Sequence, residues 1–169
     1  TVTEVKTAPL AEYLACNRII LTSEAFALHE KWMRERPQDY GKLARERLMA
    51  GAFVRAADYV NATRLRVKLA ANFHALFKDV DVVLTASAMD PPCRIDDAAA
   101  VEYTYRRQAR GPFNVTGSPA LSFSTGFTQS GLPLGAQLVG KPWSEALLYR
   151  VAYAHEQATG VHQRHPQLV

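Results

Sequence analysis

Between Phe113 and Gly140 the chain reads FNVTGSPALSFSTGFTQSGLPLGAQLVG, with five glycines and two prolines set around the apolar runs Ala120–Phe123 and Leu134–Val139. Glycine opens backbone conformations closed to other residues, and proline locks φ and removes a donor, so the pair at this density punctuates a chain into turns. The segment predicts strand, tight connection, strand, with Gln129-Ser130-Gly131 at the tip and Pro133 opening the second strand.

Helical periodicity surrounds this segment. Val2 to Val5 alternates apolar and polar residues and suits a short strand. After Pro9, Leu10, Leu14, Cys16 or Asn17, Leu21, Ala25, Leu28 and Trp32 recur at helical steps, and Pro37 ends the pattern. Asp39 is placed to cap a second helix through Leu43, Arg47 and Met49, which Gly51 breaks. A third helix carries one apolar stripe of Tyr59, Ala62, Leu65, Leu69, Phe73 and Leu76, and beside it a second of Val60, Thr63, Val67, Ala70 and Phe77. Val80 to Thr85, VDVVLT, reads as a strand buried on both faces, the pattern of a parallel sheet. A polar, proline-containing connection over 89–97 leads to a helical segment over 98–110. Near the end, Ser144 caps a last helix with Leu147, Leu148, Val151, Ala152 and Ala158 inside, and Gly160 closes it. The expected fold class is therefore α/β, helices packed on a mixed β-sheet. Three or four strands are few for five helices, which predicts that part of the sheet lies outside this chain.

Composition narrows the class of function. With 48% hydrophobic and 21% charged residues in 169, the chain has the make-up of a soluble globular protein. No apolar run approaches the roughly 20 residues that span a bilayer, and the first ten residues carry no charged-then-apolar leader pattern. Two cysteines, Cys16 and Cys93, form neither a disulfide framework nor a metal-like spacing, and read as free thiols of a cytoplasmic protein. The net charge is +4, and 14 of the 20 cations are arginine. Arg106, Arg107 and Arg110 form the tightest group beside Tyr103 and Tyr105, yet acidic residues alternate with basic ones along most of the chain. No continuous basic stripe emerges, which argues against nucleic acid as a partner.

Candidate chemistry is sparse. There is no G-x-S-x-G elbow. Ser118 precedes Pro119, whose missing N–H removes a donor that an oxyanion hole would use. Ser122 and Ser124 alternate on one strand and share a face, as small polar residues of a half-exposed sheet do. His162 and His165 lie three apart past Gly160, beside Arg164 and Pro166, where a solvated tail is the simpler reading. His74 reads as a boundary residue between the two stripes of the third helix. No metal site, cofactor site or catalytic residue emerges from the residues alone.

A family resemblance covers nearly the whole chain. FN-x-x-G-x-PA-x-S followed by GLP-x-G-x-Q-x-x-G, with PLAEY, EAFALHEKW, R-x-R-L-x-x-G at Arg45–Gly51, ADYVNATRLR at Ala57–Arg66, VDVVLT and the closing KPWSEALLYRVAYAHEQATG, resembles successive C-terminal blocks of amidase-signature enzymes. The resemblance implies a hydrolase of amide C–N bonds that uses a Ser nucleophile, a second Ser in a cis peptide and a Lys, all upstream of these blocks. It implies that residues 1–169 are a single C-terminal segment of an amidase-signature domain, a partial form of that fold without its N-terminal catalytic portion, and inactive alone. The start at Thr1, inside what resembles a strand of the family, fits a truncated polypeptide.

No catalytic residue transfers to any position here, since the chain has no adjacent serine pair and no Lys near a serine cluster. What does transfer is sheet, pocket wall and a homodimer surface, with a small-molecule amide and the N-terminal portion of the same protein as partners, and no cofactor, metal, membrane or nucleic acid. Tyr103, Asn114, Thr116 and Trp143 are the candidate substrate-binding residues, chosen as polar or aromatic groups near the hairpin. Thr85-Ala86 stands where the family has Thr-Pro, and Ser124 where a proline commonly follows the strand. In amidotransferase subunits that act on glutamine, an acidic residue precedes the Asn of the FN-like motif. The matching positions are Tyr105, Arg106 and Arg107, which speaks against glutamine as substrate. Two alternatives stand beside this reading: a non-catalytic interaction module built on the same scaffold, and a free-standing hydrolase using Ser122 or Ser124.

Overall fold

The computed structural model describes residues 1–165. Its contacts divide the chain into two compact units, Thr1–Phe73 and the residues from His74 onward.

The first unit is helical. Helix α1 (Leu10–Glu35) follows Pro9, whose φ of −56° and ψ of 138° lead in from an extended approach, and it ends at Arg36, φ −142°. Pro37 dictates that end, because its ring crowds the helical conformation of the residue before it. The buried row of α1 is Tyr13, Cys16, Ile20 and Met33. The predicted stripe shares only Cys16 with it: Leu21 is 57% and Leu28 67% exposed, and Trp32 lies open beside them. Adjacent helical residues point about 100° apart, so Ile20 and Leu21 cannot share a buried row. Cys16 of this row meets α3 (Ala56–Ala75), where its thiol donates to the Ala62 carbonyl at 3.3 Å. Tyr59 Oη adds a second tie by donating to Glu24 Oε1 at 3.0 Å.

On α3 the first stripe is inside as read, with Ala62, Leu69 and Phe73 buried, whereas Val60 and Val67 of the second stripe are exposed. Helix α2 (Lys42–Met49) starts after Gly41 and not after Asp39. Pro37 opens a short 3-10 turn that consumes Asp39, and Tyr40 and Gly41 are extended before the helix begins. Gly51 is buried in the turn that follows. Its backbone is not left-handed. What requires glycine there is proximity, since a Cβ would overlap the Thr22 carbonyl and the Phe26 Cβ of α1. The expected strand at Val2–Val5 is absent, and none of the described strands pairs with that segment.

The second unit holds the sheet. Strands β1 (Val83–Ala86), β2 (Ala120–Phe127) and β3 (Pro133–Val139) lie in the order β1-β3-β2, and both pairings are antiparallel. The α/β class holds, but the described sheet is antiparallel where a mixed one was expected. VDVVLT misled because Val80 is still in the turn leaving α3, its N–H bound to the Leu76 carbonyl, and because Leu84 is exposed. Val83 and Ala120 both face Val139, and Ala86 and Phe123 both face Ala136. Residues opposite one another in a ladder share a face, so Leu121, Phe123 and Leu138 point the same way. Helix α6 (Glu145–Thr159) lays Leu148 and Ala152 on them, with Val82 completing the cluster. The other face carries Ser87, Ser122, Gly135 and the buried Gln137.

The glycine-rich segment is a hairpin only from Ala120. Phe113 to Thr116, read as part of the hairpin segment, belongs to a short helix α5 (Gly111–Thr116), closed by Gly117 at φ 69°. Proline near its start suits a first turn that needs no N–H, and glycine supplies the left-handed exit. At the predicted tip, Thr128 N–H donates to the Leu132 carbonyl at 2.8 Å, and Gly131 takes φ 84°. Between Ser124 and Gly126 a bulge shifts the register, and His155 of α6 donates from Nε2 to the Ser124 carbonyl at 3.2 Å. Helix α4 (Ala98–Arg106) is capped by Asp97, whose Oδ1 accepts from Ala100 N–H at 2.9 Å. Ser144 sits at the start of α6 as expected, but its hydroxyl donates to the Lys141 carbonyl at 2.7 Å, so that only its backbone caps.

Candidate functional site

The cavities and the clustered polar side chains lie in the second unit. Residues 87–93, leaving β1, run beside the end of α4: Met89 N–H donates to the Arg107 carbonyl at 3.0 Å, and Ala109 N–H to the Ser87 carbonyl at 3.3 Å. An ion pair fixes this arrangement, with Arg107 Nε 2.6 Å from Asp90 Oδ2. The carboxylate holds the guanidinium still more firmly in its charged form. The same guanidinium lies 5.1 Å from the centre of the Tyr103 ring, a cation–π contact. Beside the pair opens a cavity of about 540 Å³, lined by residues of the 87–93 connection, Thr104, Gln108, Arg110 and Pro133–Gly135.

Glycine at position 135 shapes the sheet next to this cavity. The hydroxyls of Ser87, just past the end of β1, and of Ser122 on β2 meet at 2.9 Å across β3. A side chain there would stand between them; an added Cβ alone would sit 3.7 and 3.9 Å from the two oxygens. A second groove, about 510 Å³ and mainly apolar, runs between Leu121–Phe123 of β2 and Tyr149, Arg150, Ala152, Tyr153 and Glu156 of α6.

The four predicted binding residues are scattered through the unit. Tyr103 is on α4, 58% exposed and under Arg107. Asn114 is exposed on α5. Trp143 precedes α6, 93% exposed and at φ 67°, a conformation uncommon for a bulky residue. Thr116 is buried, its hydroxyl 2.9 Å from Ser118 Oγ, which in turn lies 3.2 Å from His74 Nε2. That His–Ser contact has the spacing of a base and a nucleophile. Ser118 is only 8% exposed, however, and Pro119 offers no oxyanion donor, so the trio joins the last turn of α3 to the turn before β2.

Sequence reasoning missed the cavity as such. The arginine cluster and the proline-containing connection were both visible, but nothing in their spacing says that they meet. Both cysteines are free, Cys16 buried and Cys93 exposed, and burial pushes the Cys16 thiol up while Arg66 partly offsets it. His162 lies in a short 3-10 turn; Pro166, which follows His165, is outside the described residues. No group of His, Cys, Asp and Glu among the described residues gathers as metal ligands would. No helix among them is long and apolar enough to cross a membrane.

The family model Amidase matches residues 1–149. The chain belongs to the amidase family. A glutamyl-tRNA(Gln) amidotransferase subunit from Thermosynechococcus vestitus is 34% identical over 168 residues, 95% of this amidase-family chain and 35% of that protein. A solved structure described as a vestigial protein complex revealing the origins of an s-triazine catabolic enzyme is 27% identical, with a TM-score of 0.74 over 93% of this chain and 36% of that one. The 6-aminohexanoate cyclic dimer hydrolase with its substrate, 21% identical, shares the fold at a TM-score of 0.77 over 98% of this chain and 39% of its own. The chain thus spans about a third of the length of the relatives it matches.

Proposed function

We propose that this amidase-family chain is the C-terminal scaffold and pocket wall of an enzyme that hydrolyses amide C–N bonds through a Ser–cis-Ser–Lys site on the N-terminal portion of the same protein. One observation carries the reading. The match to the amidase family runs through residues 1–149, while no serine hydroxyl among the described residues is hydrogen-bonded to a lysine side chain. Ser87 and Ser122 bond each other, Ser118 is buried with Thr116 and His74, and Ser23 and Ser144 bond backbone carbonyls. None is an accessible nucleophile with a base.

In this reading Tyr103, Asn114, Thr116 and Trp143 belong to the wall, a small-molecule amide is the substrate, and the scaffold carries a homodimer surface. A serine-directed fluorophosphonate tests it. The 169-residue chain alone is expected to stay unlabelled, and the longer polypeptide from the same reading frame to be labelled and to release an amine or ammonia from amides. Labelling of the chain alone would reject the proposal.

The likeness to a structure described as a vestigial complex favours a second reading, a non-catalytic interaction module on the amidase scaffold. The same experiment separates the two: a longer polypeptide that binds a protein partner yet takes up no probe is the module.

A further inference from the structure

Arg106, Arg107 and Arg110 crowd the end of α4. Two of them are committed: Arg106 Nε donates to Glu102 Oε1 at 2.7 Å and Arg107 Nε to Asp90 Oδ2 at 2.6 Å. The Arg110 guanidinium makes no hydrogen bond or ion pair among the described residues, and it lines the 540 Å³ cavity. Asp90 is the only acid among the lining residues, and Arg107 already balances it. The cavity therefore keeps one uncompensated positive charge at a mouth of ligand-accommodating size. A guanidinium in that position suits a carboxylate, which it grips through two parallel N–H donors. Gln108 lines the same cavity, and its Nε2 is spent on the Thr104 carbonyl at 2.9 Å, which leaves Oε1 as an acceptor. An acceptor and a cation on one lining suit a ligand with a carboxylate at one end and an N–H donor at the other.

We infer that this cavity is a subsite for small monoamides of dicarboxylic acids, with Arg110 binding the carboxylate and Gln108 Oε1 accepting from the carboxamide. Arg110 is a specificity residue in this assignment and takes no part in bond cleavage. That the ligand is an amide rests on the amidase reading; that it is an anion rests on the charge of the cavity alone.

The test is a titration of the full 169-residue chain with sodium succinamate and with neutral butyramide, followed by amide and Arg Nε–H NMR shifts. Succinamate is expected to move the signals of Ser87, Arg110 and Gly135 and to bind at least about tenfold more tightly than butyramide, the usual scale for one charge-assisted contact. Arg110→Gln should lose that preference, and Arg106→Gln should keep it. Equal binding of the two ligands, or an unchanged succinamate affinity in Arg110→Gln, overturns the proposal. If Arg110→Gln fails to fold, the comparison of the two ligands on the unaltered chain still decides. Because only binding is read, a fluorophosphonate result that defeats the amidase reading leaves this outcome intact, and the reverse holds too.

Discussion

The two units of this chain are built on opposite plans. The first is helix against helix, with a narrow buried row and several large apolar side chains left open, Leu21, Leu28, Phe53 and Val67 among them. The second is helix against sheet, with polar groups concentrated on the far sheet face and around one cavity. Large apolar side chains stay open in both units, Leu84, Ile95 and Trp143 in the second, so what sets the second apart is its cavity, with an ion pair beside it and Arg110 on its lining. In an amidase-family chain a third as long as its relatives, polar organisation is what distinguishes the two units.

The comparison breaks first at the packed centre of the second unit. Leu148 is almost fully buried against Leu138 and Ala152, so Leu148→Ala removes a core side chain and leaves a cavity. About 3 kcal/mol of stability should go, the middle of the range for such truncations. Urea unfolding measures it, and faster amide exchange in β3 and α6 locates it. A loss below about 1 kcal/mol would mean that this cluster does not hold the sheet to its helix.

Next come the glycines, which serve the two units differently. Gly51→Ala pushes a methyl into the Thr22 carbonyl of α1, and about 2 kcal/mol is the expected cost of such overpacking. The Cys16 thiol, buried on the same helix, reports it: labelling by a disulfide reagent should speed up by about thirtyfold if opening follows the lost stability. Gly135→Ala meets only ordinary contacts in the second unit and should cost less than about 0.5 kcal/mol, since a methyl fits the space. If Gly135→Ala proves the more damaging, the link between Ser87 and Ser122 contributes more to the second unit than its exposure implies.

Legibility in the sequence cut across this divide, with readable and unreadable elements in both units. The hairpin tip and the ends of α1 and α6 were readable because proline and glycine act through their own residues. The first stripe of α3 was readable because one face was continuous. On α1 two apolar rows shared Cys16 and diverged after it, and the contacts that bury Ile20 and not Leu21 come from segments distant in sequence, which periodicity cannot supply. The direction of β1 depended on pairing with β3, some 50 residues later, which periodicity cannot supply. At the site, the Arg106–Glu102 pair follows from i, i+4 spacing, but the Arg107–Asp90 pair spans 17 residues and a loop. Without it there was no way to see which arginine stays unpaired, or that a cavity lies beside it. The four chosen wall residues were picked by chemical type and nearness in sequence, and the fold disperses them.

The smallest expected difference between the units is electrostatic, and it is a null. Each carries an exposed aspartate gripped by an arginine through two hydrogen bonds: Asp58 with Arg55 at 2.8 and 2.9 Å, and Asp96 with Arg94. The arginine bond is the largest influence on both, holding each carboxyl below the usual range. A carboxyl that ionises more readily in the folded state adds stability above its unfolded pKa, and the addition is lost as pH falls through the lower folded value. Both contributions are therefore complete at neutral pH and fade on acidification, and solvent screening keeps both small. Carboxyl NMR titration should place both aspartates below free aspartate, with Arg55→Gln releasing Asp58 alone and Arg94→Gln releasing Asp96 alone. High salt should shrink both shifts alike. An Asp96 shift that resists salt while that of Asp58 collapses would show an environment around Asp96 more shielded than its exposure implies.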